Sequence, residues 1–553
     1  MSGTHVTAPA SGGAADSEQA SGAAPVTGPG RARGWRAPVN LVILAMTVLA
    51  LGVRLFYLTR PGYLLGVTEY DDGSYFGSAV RLVHGVLPYR DFVFVQPPGI
   101  TLLMTPVAAV SRLTGTDAGL AIARVLTMLA GAAGVALAGL LVRHRGALAA
   151  LVVCGVMAVY PDSVSSAHTL LVEPWLVLFC LAGAVAVFDG DRFTGSWRRL
   201  AWGGAAFGFA GVIEAWAIVP VLMITVLSVL SVRQVRRTAV YLGGVAAGFA
   251  VPVLPFAALA PQKFYDAVIT AQVGGRAGAA RVGIWERLRQ MSGFANQPHI
   301  SHALVLAVIA AMAGVAVLAC LLLLALARQL PPVLEWFAYG TGAAVVGTFL
   351  WPAQFHYHFS GFLAPWLGLA MALPAARLLA ALRARGGQPR LGQLAGWAFA
   401  GVAAAAIIAA SVNQFSFESQ LRPVAKPASM AAGERIIPPG ACVLADNVAY
   451  TITANRFVNS VPGCPTVDDG TGANFALAHG LSALTGAGRV PAVAAMWRSA
   501  FTHAQYVWLT PLSSRRIAWN PALRAYFSAN FTRVPNYTGG LHLWARNGLT
   551  AQH

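Results

Sequence analysis

Two adjacent carboxylates, Asp71 and Asp72, stand in the segment Glu69-Tyr70-Asp71-Asp72-Gly73-Ser74-Tyr75, soon after an apolar stretch running from about Asn40 to Leu58. That stretch approaches the ~20 residues a helix needs to cross the hydrocarbon core of a bilayer. A carboxylate pair just past a membrane exit lies at the water–lipid boundary. There one carboxylate can take a proton from a hydroxyl nucleophile, and a neighbouring carboxylate with partial desolvation raises its pKa and makes it a better base. The competing reading is local: Asp is a good helix N-cap, and Ser74 to His84 patterns as an amphipathic helix. One acid of the pair can cap while the other works.

Further groups carry chemistry downstream. His168 and Glu173 flank the opening of a later apolar stretch. An acid followed by Pro174 is also an ordinary helix start. As a functional group, Glu173 would orient an acceptor or hold a divalent cation. His356 and His358 sit two apart among Trp351, Phe355, Tyr357 and Phe359. Without another close ligand they point to phosphate contact rather than zinc, and the aromatics suit a membrane boundary. Arg90, beside Asp91, is the best-placed donor for an anionic phosphate. Glu214, near a boundary between two apolar stretches, is an acid at membrane depth with no assignable role. No P-loop, dinucleotide fingerprint, Cys/His zinc cluster or nucleophile elbow is present in the sequence.

The elements that must position these groups are membrane helices. Of 553 residues, 57% are hydrophobic and only 10% charged, against about 25% charged in a typical soluble protein. The net charge of +18 comes from bases scattered through short loops, which is a topology signal and argues against nucleic acid. About eleven spans are expected between residues 39 and 412. With the N-terminus inside, the short basic loops, such as Arg143/Arg145 and Arg233/Arg236/Arg237, fall on the cytoplasmic side. This requires Gly99–Leu113 to be a re-entrant or juxtamembrane helix within a first outer loop of about 59–118, because counting it as a span would reverse every later loop. The acid pair, Glu173, the His356/His358 segment and the C-terminal region then share the outer face.

Residues 1–36 read as a disordered cytoplasmic tail, residues 37–412 as the transmembrane domain and residues 413–553 as a small extracytoplasmic α/β domain. Strands are expected at Ala441–Ala445, Tyr506–Thr510 and Leu541–Ala545, with helices at Asn474–Leu484 and Pro491–Ala500. Cys442 and Cys464 lie in this region, and a disulfide between them suits an oxidising compartment. Cys154, Cys180 and Cys320 lie in apolar segments.

The first span, the acid pair, the helix carrying Tyr75, Ala79 and Leu82, and the run Gly85-Val-Leu-Pro88-Tyr89-Arg90-Asp91-Phe92 with Gln96-Pro97-Pro98 together resemble the GT-C class of membrane glycosyltransferases. The resemblance is nearest to bacterial relatives of protein O-mannosyltransferases and lipid A aminoarabinose transferases, over roughly residues 39–380. It implies an all-α polytopic bundle, a polyprenyl-phosphate sugar donor and a transfer that usually inverts the anomeric centre. The diacidic motif of the class falls on Asp71 and Asp72, with Asp-Asp where many relatives have Asp-Glu, and a later acid matches Glu173. The expected activity is transfer of a hexose or pentose to a cell-envelope glycan, lipid or protein outside the cytoplasmic membrane. Asp71 is then the base, Asp72 and Glu173 orient the acceptor or a cation, and Arg90 and His358 contact the donor phosphate. A lipid-linked donor also accounts for the missing nucleotide site. Two other classes remain in view: a transporter or flippase of lipid-linked glycans, disfavoured by acids at the boundary and no clear internal repeat, and a non-catalytic envelope scaffold.

Overall fold

The computed structural model describes residues 37–232, 235–274, 281–297, 300–327, 330–351, 354–385, 389–465, 467–510, 516–535, 537 and 541–549. The N-terminal tail expected over residues 1–36 lies outside them.

Among the described residues six helices are long and apolar enough to cross a membrane: Pro38–Leu58, Thr116–Arg145, Val235–Leu259, Val333–Leu350, Tyr357–Ala384 and Gln393–Gln420. Between them pack shorter apolar helices at Gly99–Thr114, Ala147–Val159, Glu173–Val187 and Ala215–Leu230. Among the described residues these measures qualify six spans; the eleven expected include them, the 26-residue apolar helix His302–Ala327 and shorter helices. The final long helix continues as Pro389–Gln420, past the composition change at Asn413, because its polar end finds partners. Gln414 donates to Glu418 at 3.0 Å and accepts from Asn296 at 2.6 Å.

Helix Glu173–Val187 runs from the Asp71 end of the bundle to a two-stranded hairpin pairing Phe188 with Phe193 and Asp189 with Arg192. Helix Trp197–Ile213 then returns. Helix Gly99–Thr114 starts against Val212 and Ile213 and ends at Gly115, which abuts Asn455. Both its ends therefore lie at the Asp71 end. The single residue Gly115, at φ +96°, turns the chain straight into helix Thr116–Val142, a conformation that glycine adopts without a Cβ penalty.

The C-terminal region is a four-stranded sheet ordered Val443–Ala445, Tyr506–Leu509, His542–Arg546, Phe531–Arg533. The first pair is parallel and the others antiparallel. The edge strand Phe531–Arg533 is legible only through its pairing, being three residues long. Helices Gly470–Leu477, Pro491–His503 and Pro521–Asn530 accompany the sheet, and Trp497, Phe501, Phe527 and Phe531 fill the core beneath them. A second cluster, including Val67, Ala425, Tyr450 and Trp508, joins the sheet to the loop that leads to Asp71.

Candidate active site

Asp71 and Asp72 open helix Asp71–Val83, whose N-cap is Tyr70 with no side-chain cap bond. Neither acid caps. Successive helical residues point about 100° apart, and the two carboxylates meet different surroundings. Asp72 is fully buried and its Oδ2 accepts from Arg124 Nη2 at 2.6 Å and Thr169 Oγ1 at 2.6 Å. Arg124, also fully buried, donates further to the carbonyls of Tyr63, Leu64 and Gly66 at 2.7–2.9 Å. Asp72 therefore ties the incoming loop, the span Thr116–Val142 and the 169 turn together.

Asp71 keeps 35% of its side chain accessible, and its Oδ2 lies 3.8 Å from His358 Nε2. The other imidazole nitrogen, Nδ1, donates to Glu173 Oε1 at 2.6 Å. Glu173 is buried in the first turn of its helix and its Oε2 has no hydrogen-bond partner among the described residues. The result is a line of Asp71, His358 and Glu173, drawn from three distant parts of the chain. Burial pushes the Asp71 carboxyl up to about 7, opposed by His358 and assisted by Glu69, Asp469 and Glu173. A carboxylate accessible to solvent that changes charge near neutrality has the character of a general base.

Residues to which the sequence alone assigns no role complete the surroundings. Tyr357 donates to Glu69 Oε1 at 2.6 Å. The C-terminal region reaches the same helix: Tyr70 donates to Asp469 Oδ1 at 2.9 Å, Ser74 to the Asp468 carbonyl at 2.9 Å, and Arg81 pairs with Asp468 at 3.3 Å. The Arg516 guanidinium stands 4.7 Å from the Tyr70 ring centre. Burial raises the Asp468 carboxyl above its usual range. Two signals for these groups were present: Arg124 is a charge inside an apolar stretch, and Asp468-Asp469-Gly470 repeats the tripeptide Asp71-Asp72-Gly73.

The remaining sequence candidates fall differently. His356 is exposed and stacks on His358 with centroids 5.6 Å apart. His168 is buried between Tyr57 and Tyr63, with Nδ1 on the Ser165 carbonyl, so it packs behind the loop. Arg90 is exposed and bidentate to Asp91 at 2.8 Å, while Lys263 donates to its carbonyl at 3.0 Å. These contacts place Arg90 at a rim formed with the 264 segment, where Tyr89 packs on Phe264. Cys442 and Cys464 are joined by a disulfide, Cα–Cα 5.6 Å. Among the described residues no three His, Cys, Asp or Glu side chains converge to hold a metal ion.

The helical bundle has the fold of the GT-C membrane glycosyltransferases. Comparison with solved structures places it there. ArnT from Cupriavidus metallidurans bound to undecaprenyl phosphate superposes with TM-score 0.58 at 13% identity, covering 92% of this chain and 99% of that one. Its apo form gives 0.58 at 15% identity, over 93% and 98%. The apo oligosaccharyltransferase of Archaeoglobus fulgidus gives 0.50 at 11% identity, over 85% and 69%. No protein-family model matches the sequence, and no curated protein matches it significantly.

Proposed function

We propose that this chain is an integral membrane glycosyltransferase that moves a sugar from a polyprenyl-phosphate donor to a cell-envelope glycan, lipid or protein at the outer face of the cytoplasmic membrane. The observation that carries the reading is Asp71, an accessible carboxylate with its pKa raised to about 7, faced by a histidine that a buried glutamate holds in place. The ArnT structure with undecaprenyl phosphate supplies the donor class.

In the proposed step the acceptor hydroxyl oxygen bonds to the anomeric carbon. The bond from that carbon to the phosphate oxygen breaks, its electron pair leaving on the lipid phosphate, and the hydroxyl proton passes to Asp71. Lipid phosphate is a stable leaving group, so attack from the opposite face with inversion needs no covalent enzyme intermediate. Stabilisation of the charge that develops on the phosphate falls to donors facing it, with His358 Nε2 nearest Asp71 and Arg90 at the rim. Glu173 fixes the His358 ring, and being buried it acts on the acceptor or a cation through that ring rather than by direct contact. Asp72 positions the helix that presents Asp71. The C-terminal region, touching that helix through Asp468 and Asp469, caps the site and is the element placed to select the acceptor.

The test is transfer of radiolabelled sugar from polyprenyl-phosphate donors in membranes bearing wild type, Asp71→Asn or Asp72→Asn at matched expression, with and without EDTA. A loss of ~100-fold or more in Asp71→Asn, as for removal of a general base, supports the reading. Active wild type with an equally active Asp71→Asn removes Asp71 from the mechanism. Wild type inert with every donor and acceptor tried, while lipid-linked glycan crosses the membrane in its presence, would replace the transferase by a transporter.

A further inference from the structure

At the far end of the bundle from Asp71 lies a cavity of about 560 Å³, lined by Gly195, Trp197, Leu200, Arg236, Arg237 and Val240. Its distance from the site follows from helix length. Glu173–Val187 spans 15 residues, about 22 Å at 1.5 Å per residue, and the chain enters helix Trp197–Ile213 just beyond the hairpin that follows. The cavity is not part of the site described above.

Two helices begin at this cavity, Trp197–Ile213 and Val235–Leu259, and neither has an acid in its first turn. A helix N-terminus carries partial positive charge and favours an anion. Here both are given more positive charge instead, by Arg198 and Arg199 on one and Arg236 and Arg237 on the other. Several other basic groups at this end have partners. Arg145 pairs with Asp191 at 2.7 Å and Arg377 with Glu335 at 2.9 Å. Arg199 spans the carbonyls of Val185, Ala186 and Phe188 at 2.6–3.0 Å, closing the end of the neighbouring helix. Arg236 and Arg237 have no acidic partner among the described residues, and both line the cavity. Beside them Trp197 and Trp202 are 64% and 76% exposed, which fits aromatic side chains in the interfacial layer of a bilayer.

We infer that this cavity binds the phosphate head group of an anionic phospholipid in the leaflet at that end, with Arg236 and Arg237 as the phosphate donors and the acyl chain along the exposed apolar flank of helix Val235–Leu259. Charge decides the occupant. Two arginines in the first turn of helix Val235–Leu259, without an acidic partner among the described residues, attract a phosphate, and a position where membrane helices begin brings that phosphate on a lipid. Leu242 and Phe249, seven residues apart and so on one face of that helix, are exposed and suit acyl chains. The inference stands apart from the transferase reading and from its failure.

The test is native mass spectrometry of the full-length protein in detergent, titrated with phosphatidylglycerol, phosphatidylcholine or inorganic phosphate. Phosphatidylglycerol should bind at least ~10-fold tighter than phosphatidylcholine. Arg236→Gln with Arg237→Gln should weaken it about 30-fold, the effect of removing two interfacial bases. Gly195→Trp provides a second variant that leaves both arginines in place. A Cβ at Gly195 meets nothing within 4 Å, so the indole should fill the cavity without disturbing the fold, and phosphatidylglycerol binding should fall there too. Equal binding of the two lipids, or full binding in both variants, overturns the inference. Displacement of phosphatidylglycerol by millimolar inorganic phosphate would also overturn it, leaving an anion site with no lipid character.

Discussion

A carboxylate with its pKa raised to about 7 changes charge where the proposed reaction runs, and the sign of the pH dependence follows. The base form grows as pH rises, so transfer should climb ~10-fold per pH unit below 7 and level off above it. A pH profile of kcat/KM for the acceptor checks this, and the limb should vanish in the residual activity of Asp71→Asn. Stability runs the other way. The folded protein holds the Asp71 proton more tightly than the unfolded chain, so between about pH 4 and pH 7 stability falls as pH rises. Asp71→Asn should therefore be more stable than wild type at pH 8 by ~1 kcal/mol once its partial exposure is discounted, read as a raised thermal unfolding temperature. Asp72 predicts a different phenotype. Its partner Arg124 is fully buried, and Asp72→Ala leaves that charge unpaired at a cost of about 3 kcal/mol or more. Adding Arg124→Met should recover part of that loss in thermal unfolding, whereas a purely catalytic Asp72 would leave stability unmoved in both variants.

At the scale of elements, the site depends on how closely helix Asp71–Val83 approaches its neighbours. A Cβ on Gly73 would stand 2.5 Å from the backbone nitrogen of Ala449 and 2.8 Å from its Cα. Backbone atoms do not yield as side chains do, so Gly73→Ala should move the helix off the 449–453 segment. A displacement near 1 Å costs on the order of 100-fold in rate, and transfer by Gly73→Ala should fall by ~10–100-fold with membrane insertion intact. The disulfide closes a separation of 22 residues, and opening such a loop costs ~3 kcal/mol. Cys442→Ser with Cys464→Ser should speed proteolysis of the C-terminal region, and addition of a reductant to wild type should do the same. The helix of Asp71–Val83 was legible from its amphipathic pattern, and three of the four strands from short apolar runs bounded by turn residues. The strand Phe531–Arg533 was not, because three residues hold too little periodicity and only pairing with His542–Arg546 defines it.

For the whole molecule, charge placement along the sequence predicts that the Asp71 end and the C-terminal region face outward and the Arg145–Arg192 end inward. Single cysteines test it: Leu484→Cys should react with an impermeant maleimide on intact cells, and Arg192→Cys only after permeabilisation. Labelling of both from the same side would overturn the topology. Hydropathy and the distribution of bases are sums of single-residue transfer energies. They are complete in the sequence before any contact forms, so the membrane bundle, the acid pair at a membrane exit and the change of character near residue 413 could be read directly. The roles within the pair could not. Asp71 and Asp72 are the same residue type one position apart, and only packing sends one to Arg124 and Thr169 and leaves the other facing His358. His358 and Glu173 stand 185 positions apart, and Tyr70 and Asp469 399 apart. No local propensity encodes such meetings. They are fixed by which helices pack together, and with them the environment that separates a base from a strut.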